Sequence, residues 1–404
     1  MAEKINFVGN MMLSKLTLPE VQAYFRENLH QNTAAISLRK SPFPDISAAE
    51  IAQQIKGMQI AQAKFPFLFA NEKIIYPPSL NLEQASSYPT ASYKSQFFQG
   101  KNLVDLTAGM GIDAYAFAQS FAQVTALERD QNLVEISSHN YQQLQQNNLT
   151  YIHTDFETFL KQHKNQRWDM IYLDPARRKN AQKKFLLEDL EPNILEWMDV
   201  FFQHADRILI KLSPLFDLKL ALEKIPQIHA IHLVAVKNEM KELLLYCENS
   251  VPQFPKIFAA NLATNQPIFE FNFAEEENAE IAYADIEKYL YEPNAALMKA
   301  GAFKRIAQVY SLKKLHPNTH LYTSNESLAD FPGKVYAVKE VVKDLKKKLQ
   351  NQAFHVVSKN HPLEVAAIRK KYKIKESEDF SLFFTQSIAG KIVLIAKKID
   401  NKIS

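Results

Sequence analysis

Beyond residue 100, the apolar positions fall into short runs that alternate with longer segments of helical spacing. NLVDL, QVTAL and MIYLD are apolar runs of strand length, whereas DAYAFAQSFA and LVEISSHNYQQL repeat apolar residues every three or four positions. Strands and helices that alternate in this way are typical of a parallel sheet with helices on both faces. The pattern therefore predicts a doubly wound, Rossmann-like α/β domain. Its last two strands, IHAIHLVAV and KELLLYCEN, predict an antiparallel hairpin at one edge.

The segments on either side of this domain follow other patterns. The first hundred residues predict helices, one with Thr17 as its N-cap and one opened by a capping box of Ser47 and Glu50. After the domain, YADIEKYLYEPNAALMKAGAFKRIAQVY predicts helix, LHPNTHLYTS predicts a loop, and the final stretch predicts mixed helices and strands. We therefore expect four segments: a helical region with a lid (1–95), the α/β domain (96–250), a linker with a small ferredoxin-like α+β region (251–330) and a basic α+β domain (331–404).

The composition is that of a globular protein and excludes several classes of site. Of the 404 residues, 47% are hydrophobic and 23% are charged. The single cysteine, Cys247, cannot form a disulfide or a cysteine-ligated metal centre within the chain. The scattered histidines show no metal-ligand spacing, so we expect no metal. No apolar run approaches the ~18 residues that a membrane span requires, and the first residues lack the apolar core of a signal peptide. We expect a cytoplasmic protein with no membrane partner.

Charge is distributed unevenly along the chain. From residue 285 to the end there are 22 Lys and Arg against 12 Asp and Glu, a net charge of +10, and the rest of the chain carries −6. A basic appendage on a mildly acidic body suggests a polyanionic partner. Charge alone gives equal weight to the alternative that helices such as Lys343–Lys348 are simply solvated.

One acidic residue stands at the end of each of three successive predicted strands: Asp105, Glu128 and Asp155. Ligands of open parallel sheets bind beyond the carboxyl ends of the strands, so these side chains are expected to share a site. We expect Asp105 to accept a hydrogen bond from an amino group, Glu128 to bind ribose hydroxyls with Asp130 as a helper, and Asp155 to accept from an adenine amino group with Phe156 beside the ring. The alternative is that each acid only caps the following helix.

The first of these strands runs into Asp105-Leu-Thr107-Ala-Gly109-Met-Gly111, where the two glycines allow a ligand to approach the backbone closely. The same residues fit the loose dinucleotide fingerprint, which alone is weak evidence. A carboxylate inside the strand end suits a cationic amino acid better than a pyrophosphate, and Asp113 would repel a phosphate at the next helix. The constellation therefore favours S-adenosylmethionine as the cofactor.

The fourth strand ends in Asp174-Pro175-Ala176-Arg177. This turn resembles the Asp/Asn-Pro-Pro-aromatic turn of methyltransferases that act on base amino groups. In those enzymes the acidic side chain and a backbone carbonyl accept hydrogen bonds from the target amine, and positioning supplies the rate gain. Here Ala and Arg replace the last two residues, so no aromatic ring stacks on the substrate from this turn. Arg177 and Arg178 are candidate ligands of a substrate phosphate. The alternative is a helix entry that proline makes rigid, with exposed arginines.

With these motifs, the region Lys101–Glu248 resembles a class I methyltransferase. More narrowly, the chain is similar to bacterial methyltransferases with a THUMP-like C-terminal domain, on EQASSYPTASYKS, DLTAGMGID, DPARR, LVAVKNEMKELL, YLYEPNAALMKAG and LHPNTHLYTS. The resemblance implies methylation of RNA, commonly tRNA. It also implies that the EQASS segment covers the methyl donor, which makes Gln84, Ser86, Thr90 and Lys94 expected lid contacts.

The fifth predicted strand runs into Lys211-Leu-Ser-Pro and carries no cysteine, while Cys247 is expected at the far edge of the sheet. Methyl transfer to pyrimidine C5 requires a cysteine nucleophile, so direct transfer to a base nitrogen of RNA is the better hypothesis. Lys211 either reaches the site or turns its charge outward. The alternative functions are a small-molecule or protein methyltransferase whose tail only mediates assembly, and a binding module that uses the donor site structurally.

Overall fold

The computed structural model describes residues 13–177 and 186–399, and the chain divides into two compact units. The first unit comprises Met1–Gln227 and Leu245–Ser250, and the second comprises Ile228–Leu244 and Val251–Ser404. No helix in the described ranges is long and apolar enough to cross a membrane.

The N-terminal part of the first unit is helical. Its helices are α1 (Pro19–Glu27), α2 (Thr33–Ser37), α3 (Ala48–Lys64), α4 (Pro66–Phe69), α5 (Ser79–Gln84) and α6 (Tyr88–Phe97). The capping box of Ser47 and Glu50 at α3 is confirmed. The assignment of Thr17 as an N-cap is wrong, because α1 begins after Leu18 and the Thr17 hydroxyl donates back to the Leu13 and Ser14 carbonyls.

The remainder of the first unit is a parallel α/β sheet, which confirms the expected fold. Its elements are β1 (Gly100–Asp105), α7 (Ile112–Phe117), β2 (Phe121–Glu128), α8 (Gln131–Gln143), β3 (Leu149–His153), α9 (Phe156–Gln162), β4 (Trp168–Leu173), β5 (Ala176–Arg177), a 3₁₀ turn (Leu187–Asp189), β6 (Leu190–Glu191), α10 (Ile194–His204), β7 (Ala205–Leu212) and α11 (Leu218–Lys224). Five of the strands pair in parallel in the order β7-β4-β1-β2-β3. Because these five strands are parallel, their carboxyl ends lie at the same edge of the sheet. The order of the strands reverses at the central strand β1, and ligands of such sheets bind at this point.

Burial explains why these segments are strands. Leu103 and Val104 of β1 are completely buried, as are Ile171 and Leu173 of β4, so the central strands are apolar on both faces. The short strands β5 and β6 pair antiparallel as a separate ribbon after β4. Helices α9 and α11 were not predicted from the sequence, because each is only seven residues long and carries little apolar periodicity.

The second unit begins with β8 (Ile228–Val236) and contains most of β9 (Glu239–Glu248), then β10 (Lys256–Leu262) and β11 (Phe269–Phe271). As predicted, β8 and β9 are neighbours in the sheet. The prediction that they form its edge is wrong, because β10 pairs in parallel with β8 and β11 pairs antiparallel with β10. The run KIFAANL lies in the segment predicted as a linker from its Pro and Asn content. Ile257, Ala259 and Ala260 in this run are nevertheless fully buried.

A seven-stranded sheet forms the rest of the second unit, in the order β13-β14-β12-β15-β18-β17-β16. Its elements are α12 (Phe273–Asn278), β12 (Tyr289–Pro293), α13 (Ala295–Ala300), α14 (Arg305–Val309), β13 (Lys313–His316), β14 (Thr319–Ser324), β15 (Gly333–Val341), α15 (Leu345–Leu349), β16 (His355–Ser358), α16 (Val365–Tyr372), β17 (Ser381–Ser387) and β18 (Gly390–Ile399). Two predictions are corrected. YLYEP is a strand, because β12 pairs with both β14 and β15, and LHPNTHLYTS is a hairpin.

Candidate active site

The carboxyl ends of the five parallel strands open onto one cavity with a volume of about 1270 Å³. Thirteen of the residues expected at the site line it together: Gln84, Ser86, Asp105, Thr107, Gly109, Gly111, Glu128, Asp130, Asp155, Phe156, Asp174, Pro175 and Arg177. Thr90 and Lys94 are not among the lining residues, because both are buried inside the first unit. Arg178 lies outside the described residues.

The glycine loop between β1 and α7 is held against β2 by the Glu128 carboxylate. The Gly109 N–H donates to Glu128 Oε2 (3.1 Å), and the Asp130 N–H donates to Glu128 Oε1 (2.8 Å). Gly109 and Gly111 both have positive φ angles, +56° and +78°, which disfavour a residue with a side chain. Glu128 therefore fixes the loop backbone while its carboxylate lies on the cavity wall.

Asp105 is the most deeply buried carboxylate of the site, with 1% of its surface exposed. Burial raises its pKa well above the ordinary value, although the Thr107 N–H that donates to Oδ1 (3.0 Å) opposes this. The neighbouring Asp113 and Asp174 charges raise the pKa further, and Lys211 lowers it. A cationic ligand group beside Asp105 would restore its charged form.

Asp130 and Asp155 are helix caps as well as cavity residues. Asp130 Oδ1 accepts from the Asn132 and Leu133 N–H groups, and Asp155 accepts from both the N–H and the hydroxyl of Thr158. These two acids therefore cap the following helices, and both also line the cavity. Capping does not account for Asp105, because the N-cap residue of α7 is Gly111 and no side chain caps this helix.

Asp113 is the centre of a buried polar network that the sequence did not reveal. Lys94 Nζ lies 3.1 Å from Asp113 Oδ1, and the Ser86 and Tyr172 hydroxyls each donate to Oδ2 at 2.7 Å. Burial raises the Asp113 pKa, but the charges of Lys94 and Lys211 and these hydrogen bonds outweigh it and hold the pKa well below its ordinary value. Because lysines compensate this charge, the expectation that Asp113 repels a phosphate is not supported.

Lys211 reaches the cavity, which settles the alternative left open by its sequence. Its Nζ atom lies 2.5 Å from Asp174 Oδ2 and 3.0 Å from Ser86 Oγ. The Asp174 N–H donates to Thr107 Oγ1 (2.6 Å), so the turn after β4 is tied to the loop after β1.

Cys247 is fully buried, burial raises the pKa of its thiol, and it does not line the cavity.

Trp197 is a cavity residue that the sequence reading missed. It projects from α10, and its ring meets that of Phe156 edge-on, with 4.9 Å between the ring centroids. Its sequence signal is only a tryptophan on an amphipathic helix, with no fixed spacing from any motif.

The described residues contain no group of three or more His, Cys, Asp or Glu side chains that could hold a metal ion.

Three family models match parts of the chain. Residues 90–206 match the family described as conserved hypothetical protein 95, residues 289–332 match a ferredoxin-like domain, and residues 333–398 match a THUMP domain-like family. The last two segments meet between β12–β14 and β15–β18 of the seven-stranded sheet.

Similar proteins agree with this class of fold and site. A Porphyromonas gingivalis protein, whose crystal structure was described as that of a “putative methyltransferase”, is 32% identical, with a TM-score of 0.85 over 94% of this chain and 97% of that chain. An uncharacterized S-adenosylmethionine-dependent methyltransferase of Mycobacterium tuberculosis is 18% identical over 317 residues, 77% of this chain and 84% of that protein. An uncharacterized RNA methyltransferase of Mycoplasma mobile is 33% identical over 78 residues, 19% of this chain and 21% of that protein.

The parallel sheet and the carboxylate-lined cavity at its edge define a class I methyltransferase fold. The chain belongs to the S-adenosylmethionine-dependent methyltransferases that carry a THUMP-like domain.

Proposed function

We propose that this methyltransferase modifies a base nitrogen of RNA by direct transfer, with tRNA as the expected substrate. The observation that carries the proposal is the position of Asp174 and Pro175. They follow β4 and line the same cavity as Asp105 and Glu128, and 40% of the Asp174 side chain is exposed. An acceptor carboxylate thus opens onto the cavity in which the methyl donor is expected.

The cavity fits S-adenosylmethionine on the chemistry of its donor set. Asp105 is a buried carboxylate that a cationic ligand group would stabilise, and Gly109 has no atom within 4 Å of the position that a Cβ would take. We assign Asp105 to the amino group, Glu128 and Asp130 to the ribose, and Asp155 with Phe156 to the adenine. Thr107 and the backbone at Gly109 and Gly111 form the floor, with Gln84 and Ser86 as lid contacts. When bound, this cofactor supplies a methyl group on a cationic sulfur.

Asp174 is the residue we assign to the acceptor, with the backbone at Pro175. Its carboxylate accepts a hydrogen bond from the target amine, which keeps the nitrogen lone pair directed at the methyl group. A covalent route is disfavoured, because Cys247 is buried with a raised pKa and thiolates, not thiols, are the nucleophiles. Arg177, exposed at the cavity, is assigned to a substrate phosphate.

RNA as the partner is supported by the second unit and by one relative. Residues 333–398 match a THUMP domain-like family, and the Mycoplasma mobile relative is named as an RNA methyltransferase. Lys346, Lys347 and Lys348 of α15 and Lys370 and Lys371 of α16 are exposed. We infer that residues 96–250 carry the catalytic site and that residues 331–404 contact RNA. Residues 1–95 are assigned as the helical lid region, and residues 251–330 as the connecting ferredoxin-like region. We also infer that the enzyme acts in the cytoplasm.

Incubation with radiolabelled donor and separate RNA, DNA, protein and small-molecule fractions of a cell extract tests this proposal. We expect label in RNA, and a loss of at least about 100-fold in Asp174→Ala. Asp199→Ala is the matched control, since Asp199 is exposed on α10 and outside the cavity lining. Label confined to protein or small molecules would instead assign the alternative function, with a tail that only mediates assembly.

Salt dependence gives an independent readout of the RNA contact. If the lysines of the second unit bind phosphates, the logarithm of RNA affinity should fall linearly with the logarithm of salt concentration, and a double Lys346→Gln/Lys347→Gln variant should reduce the slope by about 1–2. A flat salt response would contradict RNA binding by this unit.

A further inference from the structure

Lys211 is a charged residue on an otherwise apolar, buried strand. In the parallel pairing of β7 with β4, Ile210 lies opposite Leu173. The next residue of β7, Lys211, therefore lies beside Asp174, the residue that follows β4. Lys211 Nζ is 2.5 Å from Asp174 Oδ2 and 3.5 Å from Asp113 Oδ2. The ammonium is therefore bound more closely to Asp174 than to Asp113, although both carboxylates line the cavity.

Charge compensation of Asp113 does not by itself explain this lysine. Lys94, whose side chain is fully buried, already lies 3.1 Å from Asp113 Oδ1. A second buried ammonium is costly to desolvate, and such a group is retained only where carboxylates and hydrogen bonds surround it. Asp174, by contrast, has Lys211 as its single close cation among the described ion pairs.

The same ammonium also contacts the segment before α6. Ser86 Oγ accepts from Lys211 Nζ at 3.0 Å and donates to Asp113 Oδ2 at 2.7 Å. Ser86 lines the cavity next to Gln84, so one cation joins the expected lid segment to the turn after β4. The contact at Oδ2 restrains rotation of the Asp174 carboxylate, and 40% of this side chain remains exposed.

We propose that Lys211 is a positioning residue that orients the Asp174 carboxylate toward the target amine and links this orientation to Ser86. The inference rests on the proposed role of Asp174 and adds the residue through which that carboxylate is aligned. Without Lys211, Asp174 would rotate about its side-chain torsions, and Asp105, Asp113 and Asp174 would share one compensating cation fewer. Misplacement of a reacting group by about 1 Å can cost 100-fold in rate.

Single variants separate this role from donor binding. In Lys211→Met we expect kcat to fall by about 100-fold, measured with whichever cell fraction accepts label, while the affinity for S-adenosylhomocysteine stays within about threefold. Lys211→Arg, which keeps a cation donor, should recover part of the loss. Lys15→Met is the matched control: it removes another ion-paired lysine, 3.2 Å from Asp45 and outside the cavity lining, and should leave kcat unchanged.

A double-mutant cycle with Asp174→Ala is the decisive measurement. If Lys211 acts through Asp174, adding Lys211→Met to Asp174→Ala should reduce kcat by no more than about threefold further. Losses that multiply in full, or a Lys211→Met enzyme with wild-type kcat, would overturn the proposal. The two melting-temperature losses should also be less than additive, a readout that needs no substrate.

The experiments distinguish a failure of the Lys211 proposal from misfolding of the variant and from a failure of the RNA assignment. Should Lys211→Met fail to fold, Asp113→Asn/Lys211→Met removes a buried carboxylate charge together with the cation, and its kcat is read against Asp113→Asn. Should the label enter a fraction other than RNA, the RNA assignment fails, while the cycle still reports on Lys211 with the substrate found.

Discussion

Tyr151 on β3 occupies the space into which a side chain at Gly111 would project. An added Cβ at Gly111 would lie 1.7 Å from the Tyr151 hydroxyl oxygen and 3.1 Å from the Tyr141 ring. The two tyrosine rings stack with 6.1 Å between centroids, and the Tyr141 hydroxyl donates to the Met110 carbonyl at 2.8 Å. The glycine loop is thus supported from below by aromatic rings that leave no room for a methyl group.

Gly111→Ala should therefore damage both the fold and the donor site. A left-handed alanine costs about 1–2 kcal/mol, and relief of the clash must displace Tyr151 or the loop. We expect a lower melting temperature and a loss of S-adenosylhomocysteine affinity of at least about tenfold by calorimetry. Gly301→Ala is the control, because Gly301 has φ +76° but no atom within 4 Å of the Cβ position. Equal melting losses and unchanged affinity would contradict the role of Tyr151.

Replacing Glu128 by its amide is expected to weaken donor binding far more than replacing Asp130 by its amide, although both acids line the cavity. Each oxygen of Glu128 accepts a backbone N–H, so Glu128→Gln must place an amide N–H₂ against one of two donors. A hydrogen bond to a charged group contributes about 1.5–3 kcal/mol, which predicts a loss of donor affinity of about 10- to 100-fold in calorimetry. Asp130→Asn keeps a good N-cap and should stay within about threefold. Equal effects would contradict this division of roles.

The strand ends were predictable from the sequence, because the length of an apolar run and the polar residue that ends it are local features. Apolar runs that end in Asp105, Glu128 and Asp174 fix where each strand stops, and the parallel α/β rule brings these ends to one edge. The pairing that places Lys211 beside Asp174 was not predictable in the same way. It depends on the register of β4 and β7, which no local pattern encodes.

The fate of Lys94 and Asp113 shows the same limit. Both stand in motifs that the sequence associates with the cofactor, and the structure pairs them as a buried ion pair in which only Asp113 lines the cavity. The helix predicted over YADIEKYLYEPNAALMKAGAFKRIAQVY is wrong at Tyr289–Pro293, which is the strand β12. Its pairing with β14 and β15 depends on residues distant in sequence.

Asp105 predicts a pH dependence of donor binding. Burial raises its pKa, so the ligand-free protein takes up a proton there as the pH falls, and a cationic ligand must displace it. Donor affinity should therefore decrease as the pH is lowered through the raised pKa, with proton release on binding that calorimetry in two buffers detects. Asp105→Asn should bind more weakly and lose this proton release. A wild-type affinity that does not change with pH would contradict the assignment.

The same shift predicts a gain in stability for Asp105→Asn. A carboxyl whose folded-state pKa is raised destabilises the fold above that pKa, since the folded state must hold a poorly solvated charge. Asparagine keeps an oxygen for the Thr107 N–H without that charge. The ligand-free variant should melt above the wild type at alkaline pH, and the difference should shrink as the pH falls. A variant that melts lower at all pH values would contradict burial as the cause.

Trp197 is predicted to act through Phe156. Their edge-on contact, with 4.9 Å between centroids and 81° between the planes, holds the Phe156 ring on the cavity wall where we place the adenine. Aromatic pairs contribute about 0.5–1.5 kcal/mol beyond burial, so Trp197→Ala should weaken S-adenosylhomocysteine binding by about 2- to 10-fold in calorimetry. Trp197→Phe should restore most of that affinity. If Trp197→Ala instead lowers only kcat at unchanged donor affinity, the tryptophan contacts the acceptor base, and the adenine does not lie beside Phe156.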